Sequence, residues 1–367
     1  MTEAVAGESG SEPRRHPPAL PTGVATGIGS LPGGDSVEAV RLVLGELPDF
    51  PHLPELPQRG AGADMLGRGA ALLVDLPVEL RAGHWQTTRR AGMDLRRAND
   101  FLERDLDALS EQAGEHDGPV KVSAAGVWTL ASGIGRPIGG ALLRDPGAVG
   151  DLTASLAEGL AAHVAEVSAR LPHASVVLQL DEPSLPAVLA GAVPTESGFS
   201  RYRAVEADDA RRRLAAIVEA VHVPVIVHCC AADVPVALIA AAGAAAVSLD
   251  LSLVDMDDPA CLDPLGEQLE AGLGLLAGTV PAVDPDPAVS RIPAPTDTSE
   301  PSSADGSLSG RTAVEPVSRL WSRLGLPRHR LPELVSVTPA CGMAAASPDH
   351  VRAAFAACRE AARRLHD

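Results

Sequence analysis

The sequence predicts an α/β chain folded as a (β/α)8 TIM barrel, and three observations predict it. Seven short runs rich in Val, Ile and Leu recur along the chain, at 23–29, 119–124, 175–181, 223–228, 245–250, 274–280 and 333–339. They have few polar breaks, which is how strands buried on both faces read. Amphipathic stripes of helical period lie between them, so strand and helix alternate through about eight units, as barrels of this class do. A doubly wound open sheet is the alternative. The first strand, however, leads into "GIGSLPGG", which lacks the G-x-G-x-x-G spacing of a dinucleotide turn.

The elements follow in order. Residues 1–21 read as a disordered lead-in, and 22–367 as one domain. After the first strand, Asp35-Ser36 opens a helix that carries Val37, Val40 and Leu44. The second strand is ambiguous: propensity favours "ALLVDLP" at 71–77 over the proline-rich "FPHLPEL" at 50–56. Leu152, Leu156, Leu160, Val164 and Val167 form one helical stripe between strands three and four. Val234 and Leu238 lead to a stop at Gly243. Residues 290–313 are rich in Pro, Ser, Thr and Asp with little to bury, and read as a flexible insertion after the seventh strand. Val317, Leu320, Trp321 and Leu324 resume the fold. The last helix follows the cap and first-turn proline of Ser347-Pro348.

Composition narrows the function. Hydrophobic residues make up 46% and aromatic residues 2%, so the core must be built from Leu, Val and Ala. The net charge of -18 argues against nucleic acid or an anionic membrane as partner. No uninterrupted apolar run reaches spanning length. Five cysteines without a secretory signal fit a reducing, cytoplasmic setting and a role as small buried hydrophobes. Cys261 and Cys358 fall in helical segments, and His163, His173 and His222 read as solvated.

Chemistry in a barrel gathers at the carboxyl ends of the strands. Ser30, Asp181, Glu182, His228, Cys229, Cys230, Asp250, Asp284 and Cys341 all fall there. In "VIVHCCAAD", His228 and Cys230 are two apart and point to one side of a strand end. Asp250 ends the next strand and Cys341 follows the last, so His, Cys, Cys and a carboxylate could surround a zinc ion. Only the fold hypothesis brings Cys230 and Cys341 together, and burial as packing cysteines is the competing reading.

In combination the motifs resemble the catalytic barrel of the cobalamin-independent methionine synthase family. "TGIGSLPG", "VKVSAAGVWTLAS", "LQLDEPSLP", "VHCCAAD", "VSLDLSLVDM" and "TPACGM" resemble that family's segments in order, from about residue 22 to 365. The resemblance implies zinc-dependent methyl transfer to a small thiol, classically homocysteine. It implies His228, Cys230, Asp250 and Cys341 as zinc ligands. Ile28, Gly29 and Ser30 would hold the carboxylate end of the amino acid, and Asp181, helped by Glu55, its ammonium. It also implies that "PHLPEL" supplies the second strand, and that Trp128 lies near the place of an aromatic beside the methyl donor.

The departures matter. Asp250 stands where the family has Glu. The family's catalytic histidine after strand seven is missing from "VPAVDPDP", and Asp284 occupies that place as the candidate catalytic residue. With room for one barrel, the chain is similar to single-barrel relatives whose methyl donor is methyl-folate or a methylated corrinoid protein. Two other expectations stay open. One is decarboxylase-like chemistry in the same superfamily, for which Arg59 and Arg68 are the nearby cations. The other is a weakened member that binds zinc or an amino acid without turnover.

Overall fold

The computed structural model describes residues 20–285 and 308–367. The lead-in over 1–19, and residues 290–307 of the expected insertion, lie outside the described residues.

In chain order the main elements begin with α1 (Ser36–Glu46), α2 (Met65–Ala71), β1 (Val78–Arg81), β2 (His84–Thr87) and α3 (Met93–Ala113). Next come β3 (Pro119–Ala125), α4 (Val127–Gly133), α5 (Pro146–Arg170), β4 (Ser175–Asp181), α6 (Leu185–Leu189), α7 (Ala207–Val221) and β5 (Val225–Cys229). The remainder are α8 (Val236–Ala241), β6 (Ala246–Asp250), α9 (Pro259–Glu270), β7 (Gly274–Val280), α10 (Gly310–Leu324), α11 (Leu331–Leu334), β8 (Val335–Pro339) and α12 (Pro348–Arg364). Residues 310–313, expected within the insertion, thus form the first turn of α10, which Ser309 and Thr312 close with a reciprocal capping box.

Strands β3 to β8 form a six-stranded parallel sheet in sequence order, and β1 and β2 form a separate antiparallel hairpin. Two extended segments lie against the outer strands of the sheet. Residues near 23–26 bond to β8 through Gly23 N to Val335 O (2.8 Å) and Thr26 N to Val337 O (3.1 Å). Residues 51–55 bond to β3 through Lys121 N to Pro51 O (2.9 Å) and Leu53 N to Lys121 O (2.8 Å). The segments meet each other through Glu55 N to Gly29 O (3.1 Å) and Leu31 N to Glu55 O (2.9 Å). Residues 51–55 do not form a continuous ladder, because Pro51 and Pro54 lack the N–H a ladder needs. The propensity choice at 71–77 is corrected: Ala71 ends α2, and Leu72 caps it. Leu72 O lies so close to Gly159 of α5 that any Cβ there would collide with it.

The sheet has two different faces, as the two-residue period demands. Outward residues such as Val122, Leu178, Leu180, Val227 and Val247 join the core beneath the helices. Inward, Phe50, Val177, Ile226, Ala246 and Leu276 form a small apolar cluster covered by Leu20 and Val24. Toward the carboxyl ends the inward side turns polar: Lys121, Ser123, Gln179, Asp181, His228 and Ser248 are all buried. No helix among the described residues is long and apolar enough to cross a membrane.

His163 corrects another expectation, because it is buried on α5 rather than solvated. Burial first, and then the Arg68 charge, pulls its pKa down to about 4. In the unfolded chain an exposed imidazole titrates near about 6.5. The folded state therefore binds fewer protons between these values, and its stability falls as pH drops from about 6.5 through about 4. His52, also buried and lowered, acts in the same sense. Equilibrium unfolding at pH 7.5 and pH 4.5 should show a loss from His163 of at most about 3 kcal/mol. His163→Gln should reduce that pH dependence, and an unchanged profile would remove His163 as its source.

Candidate metal and substrate site

Strand ends carry the site upward from the polar inner face. β5 delivers His228 inward and Cys229 outward, and the chain leaves the sheet at Cys230. Just past β8 comes Cys341. The ligand atoms of His228, Cys230 and Cys341 all lie within 4.8 Å of one another, and the two sulfurs are 3.2 Å apart. Two residues 111 positions apart in sequence are thus neighbours through the sheet. Cys229 is sealed in the helix layer, and burial pushes its thiol up to about 12, which makes it an inert packing group.

His228 is oriented from behind. Its Nδ1 lies 3.0 Å from the buried Ser248 hydroxyl on β6. Its Nε2 is buried and has no hydrogen-bond partner among the described residues. A buried imidazole nitrogen left unpaired beside two thiols costs free energy unless something electrophilic takes its lone pair. One His and two Cys with an open fourth position is a donor set that suits zinc in a catalytic rather than a structural site. The residues therefore fit the metal that the sequence resemblance implies. The hydrogen bond between the two thiols holds Cys341 below the ordinary thiol range and raises Cys230. The pair thus gives up one proton readily and the second with difficulty.

Asp250 is not brought into this group. Its carboxylate caps the short turn after β6, accepting from Ser252 N (2.9 Å) and Ser252 Oγ (2.6 Å). A strand-end aspartate serves as a cap as readily as a ligand, and here the cap has taken it. Asp284 is likewise committed elsewhere: it accepts from Ser347 N (2.7 Å) and Ser347 Oγ (2.6 Å) at the start of α12. Those bonds hold its carboxyl below the usual carboxylate range. As a proton donor near neutral pH it is unsuited.

The expected amino-acid end lies beside the thiols. Ser30 touches the chain just past Cys341, with Met343 N donating to Ser30 O at 2.7 Å. A Cβ on Gly342 would overlap Ser30 Oγ, so the glycine after Cys341 is what lets the first segment close in. The backbone N–H groups of Ile28, Gly29 and Ser30 meet no acceptor among the described residues. Glu55 pairs with Arg68 Nε at 3.0 Å, and Arg68 continues to the buried Asp105 at 2.6 Å. Arg59 also bonds Asp105, at 2.7 Å. Both arginines are consumed by carboxylates, so they do not form the cationic mouth that a decarboxylase of a polyanion needs. Asp181 accepts from Gln179 Nε2 at 2.7 Å. Burial raises the Asp181 carboxyl; the His228 charge opposes that rise and Glu55 adds to it.

Glu182 and Trp128 are candidates in the sequence, whereas Ser248 and Gln179 are not. Glu182 caps α4, accepting from Trp128 N (3.0 Å), Thr129 N (2.8 Å) and Thr129 Oγ1 (2.9 Å). Burial still pushes its carboxyl up to about 7. Trp128 is buried in that helix with Nε1 directed at Ala210 O, so it packs and offers no exposed stacking face. Ser248, Gln179 and Lys121 support the site from below. Nothing but a run of apolar neighbours surrounds them in sequence, so their inward direction became visible only with the register. Beyond Cys341, between the ends of β6 and β7 and α10, lies a cavity of 680 Å³ lined by Asp250, Asp255, Thr279, Glu315, Arg319 and Cys341.

A parallel curled sheet with a His-Cys-Cys cluster at its carboxyl edge defines an α/β scaffold with three residues placed to hold a metal ion. Comparison with known proteins agrees. Residues 139–301 match the model for the catalytic domain of cobalamin-independent synthases. Among solved structures it is similar to a B12-independent methionine synthase from Shewanella sp. W3-18-1, solved in complex with selenomethionine. That likeness has 13% identity and a TM-score of 0.55 over 94% of this chain and 98% of the other, and it speaks for the fold. A protein from Pseudomonas aeruginosa, provisionally described as a dihydrodipicolinate synthetase, aligns over 70% of this chain and 64% of its own. At a TM-score of 0.33 and 14% identity it carries no argument. No curated protein sequence matches the chain.

Two outcomes test this geometry. Zinc measured by atomic emission should fall from about one per chain to below a fifth in Cys230→Ser and Cys341→Ser, and stay near one in Asp250→Asn. Loss in Asp250→Asn equal to the cysteine variants would make Asp250 a ligand after all. Asp284→Asn should cost about 1 kcal/mol of stability through the lost α12 anchor. It should leave turnover within a few fold, and a hundredfold loss of turnover would restore Asp284 as catalytic.

Proposed function

We propose that the protein is a zinc-dependent methyltransferase that methylates a small amino-acid thiol, homocysteine to methionine, on a closed (β/α)8 barrel. The observation that carries the reading is the convergence of His228 Nε2, unpartnered and buried, with the sulfurs of Cys230 and Cys341. The hydrogen bonds that run from β8 through residues 23–31 and 51–55 to β3 support the closed barrel.

Zinc held by His228, Cys230 and Cys341 would supply one thing: it keeps a thiol in its thiolate form at neutral pH. The rest falls to the chain. Ser248 fixes His228 so that Nε2 presents its lone pair to the cluster. The free N–H groups of Ile28, Gly29 and Ser30 suit a carboxylate, and Asp181 with Glu55 suits an ammonium. Together they set the distance at which a homocysteine-sized thiol reaches the sulfurs. The thiolate sulfur then forms a bond to the methyl carbon of the donor, whose leaving group departs with the bonding electron pair. The cavity at Cys341 is large enough for a small-molecule donor or a donor's reactive end. Methyl-folate and a methylated corrinoid protein are the two donors that the family resemblance suggests.

The test is direct. Zinc-loaded protein is given homocysteine with either 5-methyltetrahydrofolate or methylcobalamin, and methionine is measured. Methionine with one donor and none in Cys341→Ser supports the reading. Thiol binding without methionine from any donor would favour a binding protein, and absence of both zinc and thiol binding would sink the reading.

A further inference from the structure

Lys121 is the least expected group inside the sheet. It is completely buried on β3, with no solvent exposure. A lysine ammonium in such a place must be held by acceptors to be tolerated. Its stem passes the apolar layer of Val177 and Phe50, and its head reaches up toward the strand ends. There Nζ donates to Ile28 O at 2.8 Å and to Gln179 Oε1. Gln179 uses its amide group twice, donating from Nε2 to Ile28 O (2.9 Å) and to Asp181 Oδ1 (2.7 Å). Ser123 Oγ adds a third donor to Ile28 O, at 3.2 Å.

Two consequences follow. With three donors converging on it, the Ile28 carbonyl has no acceptor capacity left for a substrate. Its peptide is therefore pinned, which fixes the direction of the N–H groups that follow it. The Asp181 carboxylate is reached by the same network, and the fixed amide of Gln179 sets which oxygen remains open. Burial lowers the Lys121 ammonium pKa, with Asp181 and then Glu55 pulling it back up.

We infer that Lys121, acting through Gln179, is the positioning residue that makes the amino-acid end of the site selective for a substrate carrying an ammonium group. It holds the Ile28–Ser30 backbone and the Asp181 carboxylate in one rigid arrangement. The inference rests on the proposed thiol methyltransferase reading, and deepens it. Lys121 touches no part of the metal cluster, so its effect should separate from metal binding.

Binding is the readout. Zinc-loaded wild type, Lys121→Met and Gln179→Leu are titrated by calorimetry with homocysteine and with 4-mercaptobutanoate, which keeps thiol and carboxylate but lacks the ammonium. The wild type should prefer homocysteine at least tenfold. Each variant should lose more affinity for homocysteine than for 4-mercaptobutanoate, so that the wild-type preference falls at least tenfold, and should keep its zinc. Methionine closely matches the length of the lysine stem, but it leaves Asp181 and Glu55 buried without that cation, which destabilises the fold. Gln179→Leu, which leaves the lysine in place, serves if that variant does not fold. Equal losses for both thiols, or no loss for either, would overturn the positioning role. A wild type that binds neither thiol would instead overturn the methyltransferase reading itself.

Discussion

Polar groups turned inward on a parallel sheet set the terms for this molecule. A sheet covered by helices can bury its outer face cheaply in Val and Leu, but its inner side becomes dry as it curls. Lys121, Gln179, Asp181, His228 and Ser248 occupy that inner side and lose their water. Each such loss costs more than one hydrogen bond returns, so the arrangement survives only if nearly every group is paired. The pairings observed are consistent with that constraint: lysine to glutamine and carbonyl, glutamine to aspartate, histidine to serine. His228 Nε2 is unpaired, as are Thr26 Oγ1, Thr338 Oγ1 and both His52 ring nitrogens, and what sets it apart is that the His228 ring stands beside two thiols.

From that constraint the division of labour follows. The apolar inner layer of Phe50, Val177, Ile226, Ala246 and Leu276 closes the amino end of the strands, so polar chemistry is confined to the other end. Arg68, buried between Glu55 and Asp105, extends the network outward and fixes Glu55 against the first segment. The same carboxylates that balance these cations deny them to an anionic substrate. Electrostatics therefore argues for a substrate with a positive end, in keeping with the acidic balance of the whole chain.

Much of this was legible in the sequence. Six of the seven apolar runs became the strands β3 to β8, because a doubly buried strand has no polar period to blur it. H-x-C after one strand and C-G after another marked two sides of the cluster. What failed did so for local reasons. Residues 71–77 have strand propensity, but α2 ends there and the chain turns against Gly159. Residues 50–56 have two prolines and still bond to β3, because tertiary context supplied the pairing that propensity denied. Asp250 and Asp284 looked like ligand and acid because carboxylates at strand ends can be either. Both found a serine two residues away or across the loop, and sequence alone does not show a competing cap.

Ser30 and Cys341 show how the site depends on closure rather than on any one strand. Ser30 O takes the Met343 N–H, and Gly342 leaves room for the Ser30 side chain. The first segment, held to β8 on one side and to residues 51–55 on the other, thus fixes the position of the last ligand. The proposed metal ligands and the proposed amino-acid end are therefore mechanically one unit. A shift in the 23–31 segment moves the expected carboxylate site and Cys341 together. That coupling gives a physical reason for the chain to place its most crowded buried hydrogen bonds, three on a single carbonyl, at Ile28. Rigidity there preserves the distance between the Ile28–Ser30 backbone and the Cys230 and Cys341 sulfurs, which the proposed reaction needs.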